Sequence, residues 1–232
     1  MIELKDVSKR YRRPRMGFGP WVFKDVSLII PPGRNIGVIG APGTGKTTFL
    51  NLLCSVDKPT RGTIDRKSKV SWMVGKGAGL QSTMTGRQNA TFVCRLFCHG
   101  DYERDRLEFI EKFSELGPAF NQPVATYSGS MTARLRISLS LAFDFDIYIS
   151  DGTVAVGVGE FRKKVAARFL EQTKKGGLVL ASSSSSILQR YCENCIWVKD
   201  GKAIWYDDIS DALRDYKECE VEDMDAVVLS DE

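Results

Sequence analysis

The stretch Gly40-Ala41-Pro42-Gly43-Thr44-Gly45-Lys46-Thr47 constrains this chain more than any other. Two glycines bracket four residues and are followed by a lysine and a hydroxyl, between the apolar runs Asn35 to Ile39 and Thr48 to Cys54. That pattern predicts a strand, a tight loop and a helix, in that order. The glycines let successive N–H groups turn inward, and the first helical turn adds unpaired donors and a partial positive charge. A loop of this kind cradles the phosphates of a nucleotide. The candidate ATP-binding residues are therefore Gly40, Gly43, Thr44, Gly45, Lys46, Thr47 and Thr48. Lys46 is expected to reach the β and γ phosphates, and Thr47 to hold Mg²⁺ by its hydroxyl.

The 232 residues, 43% of them hydrophobic, suffice for one sizeable core. No run approaches the ~20 apolar residues of a membrane span, and no secretory pattern opens the chain. The expectation is a cytosolic protein, or one held at a membrane through a partner. Six cysteines without such a leader read as reduced thiols. The pairs Cys192/Cys195 and Cys94/Cys98 lack zinc-site spacing and are read as core. The net charge of +4 hides an asymmetry: from Asp207 onward there are eleven acidic and two basic residues, leaving 31 basic against 18 acidic before it. The densest cluster, Lys9, Arg10, Arg12, Arg13 and Arg15, reads equally as a solvated face or as a surface for anions. No recognisable nucleic-acid module or stacking platform accompanies it, so no nucleic-acid partner is expected.

Met1 to Leu4 and Val22 to Ile30 read as strands separated by a turn-rich segment containing Pro14, Gly17, Gly19 and Pro20. They suggest a small antiparallel sheet beside the nucleotide, with Tyr11 placed to stack on a purine. Asp57 to Gly62 reads as a turn and Val70 to Val74 as a strand, after which Gly75, Gly77 and Gly79 break the pattern. Thr85 and Gln88 form a capping-box pattern before a helix to Phe97. Asp101 to Leu116 and Gly129 to Phe143 come next as further helices of an inserted lobe. Asp146 to Asp151 is a strand ending in a carboxylate. Phe161 to Lys174 is helical, Leu178 to Ala181 a strand, and Ile196 to Lys199 with Ala203 to Tyr206 a hairpin about Asp200-Gly201. The serine run Ser182 to Ser186 is too short for a linker. Asp208 to Tyr216 reads as helix, and Glu218 to Glu232 as a solvated acidic end.

The phosphate loop, Tyr127-Ser128-Gly129-Ser130-Met131 and Asp151 together resemble the nucleotide-binding subunits of ABC transporters. More narrowly, Trp72, Thr85-Gly86-Arg87-Gln88-Asn89, Leu141 to Asp146, Ala155-Val156-Gly157, Arg190-Tyr191-Cys192 and Tyr206 to Ile209 resemble the ATP-binding subunits of capsular-polysaccharide exporters. The resemblance runs to about Tyr216. It implies an α/β, P-loop ABC-type nucleotide-binding domain over residues 1–206, with an N-terminal antiparallel β subdomain and a helical lobe at about 81–143. A short helix and acidic tail would occupy 207–232. It also implies a second nucleotide-binding domain, a homodimer being favoured over a heterodimer, and transmembrane permease subunits at the cytoplasmic face of the inner membrane. Each nucleotide would be clamped between one domain's phosphate loop and the other's signature loop, Ser128, Gly129, Ser130 and Met131. Taken alone, Ser128 would be an ordinary helix N-cap. By the same resemblance Asp151 and Gln81 would serve Mg²⁺ alongside Thr47, and a coupling helix of the membrane partner would dock around residues 75 to 90.

Three departures bear on hydrolysis. Where the family carries a glutamate after the strand-end aspartate, this chain has Gly152; the family's γ-phosphate histidine is matched by Ser183; its interface aspartate is matched by Val158. The single histidine, His99, lies in the helical lobe, and Glu160, at a helix start, reads as a dipole partner rather than a substitute base. Binding residues are intact, whereas loss of a positioned base alone would slow turnover by about 10²–10⁴-fold, and loss of the water-orienting group would add to it. Three readings result: an exporter ATPase with weak or unusual hydrolysis, a degenerate half paired with a complete subunit, and an ATP-binding regulator or scaffold outside transport.

Overall fold

A computed structural model describes residues 1–15, 17–76, 79–97, 102–152 and 158–230, with side chains described as far as Glu220. The expectations placed on Gly77, Cys98, His99 and Ala155 to Gly157 lie outside these residues.

Two sheets organise the chain. A six-stranded sheet has the order β5-β6-β7-β3-β8-β9, formed by β3 (Asn35–Ile39), β5 (Val70–Met73), β6 (Ile147–Asp151), β7 (Gly177–Ala181), β8 (Asn194–Lys199) and β9 (Lys202–Tyr206). All neighbours run parallel except β9, which returns antiparallel on β8. The inner strands read as unbroken apolar runs because both faces are covered: β7 is buried at every position, as is β3 from Ile36 to Ile39. Their shared direction puts the C-terminal ends of β3, β5, β6 and β7 along one edge, where helix N-termini and loops collect.

The second sheet is antiparallel, β2-β1-β4, from β1 (Ile2–Arg13), β2 (Gly17–Ile30) and β4 (Arg61–Arg66). The segment that reads as turn-rich is instead mostly ribbon. Only Pro14 and Arg15 form the described part of the turn, Arg15 at φ 65°. Pro20 is accommodated because β2 is an edge strand, where a missing N–H costs no ladder bond. The sequence reads the start of β4 as part of a turn; in the structure it is a strand that pairs Arg66 with Ile2 and Ile64 with Leu4.

Helix α1 (Lys46–Leu53) continues from the phosphate loop and buries Phe49, Leu50, Leu52 and Leu53 between the sheets. The inserted lobe comprises α2 (Gly86–Phe97), α3 (Tyr102–Ser114), two short 3-10 turns at Gly117–Asn121 and Val124–Thr126, and α4 (Gly129–Leu141). Val93, Cys94, Ile110, Phe113 and Phe120 are buried among them. The capping box forms in both directions: Thr85 N donates to Gln88 Oε1 at 2.9 Å, and Gln88 N to Thr85 Oγ1 at 3.1 Å.

Helix α5 (Gly159–Lys175) precedes β7, and α6 (Ser185–Tyr191) grows from the serine run, which offers no apolar periodicity to announce it. The last helix, α7 (Ile209–Ser230), continues beyond its expected end at Tyr216. Ala212 and Leu213 anchor its first turns in the core, and no glycine or proline interrupts the chain between Ile209 and Ser230. Cys192 and Cys195 are buried free thiols, which burial pushes up to about 12, so they serve packing as expected.

Candidate nucleotide-binding site

The loop between β3 and α1 is wound tightly by its glycines. Gly40 has φ 147°, and a Cβ there would stand 2.4 Å from Val198 O and 2.8 Å from Thr44 Oγ1. Gly45, at φ 105°, is the residue from which α1 starts, and a Cβ would meet Val22 Cγ1 at 2.6 Å. The loop is thus seated under β8 on one side and β2 on the other. We expect Gly40→Ala to destabilise the protein by about 3 kcal/mol, from a backbone clash combined with left-handed strain; urea unfolding measures it, and a loss below about 0.5 kcal/mol would contradict this seating.

Lys46 Nζ lies inside the loop, donating to Gly40 O at 2.5 Å and Ala41 O at 2.9 Å. Burial pushes its pKa below the usual lysine value, and the charge of Asp151 offsets part of that effect. Thr47 Oγ1 donates to Asp151 Oδ2 at 3.1 Å, so the helix start and the end of β6 meet. Two hard oxygen groups this close suit Mg²⁺, which keeps waters and takes phosphate oxygens as its remaining ligands. Among the described residues no cluster of three or more His, Cys, Asp or Glu could hold a metal alone.

Tyr11, 44% exposed, comes to the same region along β1. Its hydroxyl donates to Asp57 Oδ2 at 2.9 Å and lies 3.2 Å from Thr48 Oγ1, while Lys9 Nζ sits 4.6 Å from its ring centre. Partial burial would raise the Asp57 carboxyl, but hydrogen bonds from Lys9, Tyr11 and the Lys58 N–H outweigh it and hold the carboxyl below its ordinary value. Sequence reading missed this bracing because Asp57 sits in an unremarkable turn.

Gly152 and Ser183 lie just past the C-terminal ends of the paired strands β6 and β7, and Gly152 N donates to Ala181 O at 2.7 Å. A cavity of about 280 Å³ lies between the phosphate loop and α7, with Pro42, Lys46, Ser183, Tyr216, Lys217 and Glu220 in its lining. The approach of α7 was not legible, since nothing in its sequence marks a neighbour. It is held over β8 by Tyr216 against Trp197, ring centres 5.9 Å apart and perpendicular, and by Lys199 Nζ at 2.9 Å from Cys219 Sγ.

Ser128 caps α4, accepting from Met131 N at 3.2 Å, with Ser130 Oγ at 3.0 Å from its own oxygen. Ser128, Gly129 and Ser130 are exposed, and a Cβ on Gly129 would meet nothing within 4 Å. The chain does not bring Ser128, Gly129, Ser130 or Met131 into the lining of the phosphate-loop cavity. Gln81 is tied by its backbone to Asn89, N to Oδ1 at 2.8 Å and O to Nδ2 at 3.0 Å. Lys76 Nζ also donates to the Asp151 carboxylate, at the oxygen that Thr47 reaches. Val158 is 82% exposed at the start of α5, and Glu160 pairs with Lys163 on the same helix at 2.7 Å.

Residues 23–155 match the family described as ABC transporter. The chain belongs to that family, and its fold is that of the ABC nucleotide-binding domain. A post-hydrolysis dimer of an ATP-binding cassette bound to ADP and Pi superimposes with a TM-score of 0.69 at 23% identity, covering 89% of this chain and 98% of that one. Among curated relatives, the polysialic acid transport ATP-binding protein KpsT of Escherichia coli is 40% identical over 94% of this chain and 99% of its own length. The capsule polysaccharide export ATP-binding protein CtrD of Neisseria meningitidis serogroup B is 36% identical over 93% and 98%. The ATP-binding protein BexA of Haemophilus influenzae is 35% identical over 94% and 99%. Among the described residues no helix is long and apolar enough to cross a membrane.

Proposed function

We propose that this chain is the ATP-binding subunit of an exporter of capsular or related surface polysaccharide, working at the cytoplasmic face of the inner membrane beneath permease subunits. The observation that carries the reading is its near end-to-end likeness to export ATP-binding proteins. ATP would lie across the phosphate loop, with Lys46 released from Gly40 O and Ala41 O to the phosphates and Tyr11 against the base. Bound Mg²⁺ would neutralise phosphate charge between Thr47 and Asp151. Ser128 and the N–H groups opening α4 would complete the site of a second copy, which accounts for an exposed capped helix start. For the permease, Phe92, Leu96, Phe97 and Tyr102 supply a patch of exposed apolar side chains where α2 ends and α3 begins. It borders a groove of about 610 Å³ floored by Phe143 and Phe145.

Hydrolysis is where a second reading enters. Neither Gly152 nor Ser183 supplies a carboxylate or imidazole, which favours a degenerate half beside a complete subunit. A nucleotide regulator or scaffold outside transport would share that chemistry but need no permease. Mixing the protein with Mg-ATP and following particle mass and phosphate release together tests this. Prompt release and return to monomer would establish an ordinary ATPase cycle. A long-lived ATP dimer without release would support the degenerate half or the regulator, and co-purification with a membrane protein would then exclude the regulator. No dimer with ATP would overturn the homodimer and leave pairing with a different, complete subunit.

A further inference from the structure

Lys76 is a charged residue at this site that no sequence motif marks. β5 and β6 are neighbouring parallel strands, so their C-terminal ends lie side by side; Asp151 closes β6, and Lys76 sits in the turn that closes β5. That turn is fixed by Val74 N on Ile149 O at 2.8 Å and Lys76 N on Met73 O at 3.1 Å, with Gly75 at φ 76°. Lys76 Nζ then donates to Asp151 Oδ2, the same oxygen that Thr47 Oγ1 reaches at 3.1 Å. An ammonium group thus stands at the carboxylate oxygen through which the site would otherwise engage a divalent cation.

We propose that Lys76 is a tethered counter-cation that competes with divalent metal for Asp151, so that nucleotide binding by this protein depends only weakly on Mg²⁺. The inference rests on the nucleotide-site reading above. A carboxylate facing a triphosphate repels it unless a cation lies between them, and the ammonium supplies that cation when metal is absent. Lysine suits the role as a compact charge on a flexible stem. Its side chain is 49% exposed and that of Asp151 20%, so the contact is exchangeable rather than locked. When metal takes Asp151, the displaced ammonium has the phosphates as its next anion. Lys76 is a positioning residue here: it sets the charge at the metal site and takes no part in bond breaking.

The test is the affinity for ATP measured by titration calorimetry in EDTA and again in excess Mg²⁺, for the wild type, Lys76→Gln, Lys76→Met and Lys76→Arg. The quantity read is the ratio of the two dissociation constants. Both neutral variants should raise that ratio about tenfold, mainly by weakening metal-free binding, as expected for removal of one charged hydrogen bond. Lys76→Arg should stay close to wild type, and melting curves confirm that each variant is folded. A ratio unchanged in both neutral variants overturns the proposal while leaving the nucleotide site standing. Wild-type protein that binds ATP under neither condition overturns the site reading, and this inference with it.

Discussion

Replacing Lys46 with alanine should weaken ATP binding by about 10²-fold or more, beyond what titration at ordinary protein concentration detects. The ammonium is lodged inside the loop, and its hydrogen bonds to Gly40 O and Ala41 O show where it sits before phosphate arrives. Removing it takes away the charge proposed to meet the β and γ phosphates. It also takes away the tie that holds the loop's carbonyls together. The fold should survive, because α1 is anchored independently by Phe49, Leu50, Leu52 and Leu53. Folded Lys46→Ala protein that binds ATP within about threefold of wild type would show that nucleotide is held elsewhere.

The second large effect runs in the opposite direction. Combining Gly152→Glu with Ser183→His should raise phosphate release by about 10²-fold, the lower end of what a positioned base contributes. The two positions come together at adjacent strand ends, and a Cβ at Gly152 would meet nothing within 4 Å. The cavity beside Ser183 leaves room for an imidazole. Gly152 has φ 76°, so glutamate there carries left-handed strain, and stability should fall by about 1–2 kcal/mol. Phosphate release and denaturant unfolding measure both quantities. Unchanged turnover in a double variant that still forms the ATP dimer would mean that these two positions do not limit hydrolysis.

How legible each element was in the sequence depends on how it is stabilised. The central strands β3 and β7 are buried on both faces and appear as largely apolar runs; the phosphate loop depends on glycines and one lysine in a specific spacing. The reciprocal cap of Thr85 and Gln88 is local chemistry, so it could be read from four consecutive residues. β4 could not, since its only large apolar residue is Ile64 and it exists by pairing with β1. Lys76 and Asp151 are brought together by the order of strands in the sheet, which the chain order does not reveal. Gln81 is a metal candidate by resemblance alone; its backbone is bound by Asn89, and Lys76 joins Thr47 at Asp151.

The packing of α7 over β8 has an optical consequence. Trp197 is 8% exposed, with Tyr216 set edge-on against its indole and Lys199 Nζ 5.0 Å from its ring centre, while Tyr216 also lines the phosphate-loop cavity. An indole so placed is a native fluorophore at the joint between helix and nucleotide cleft. Admission of water or loss of the ammonium above the ring would shift its emission, so displacement of α7 during nucleotide binding would register as a colour change without any attached dye.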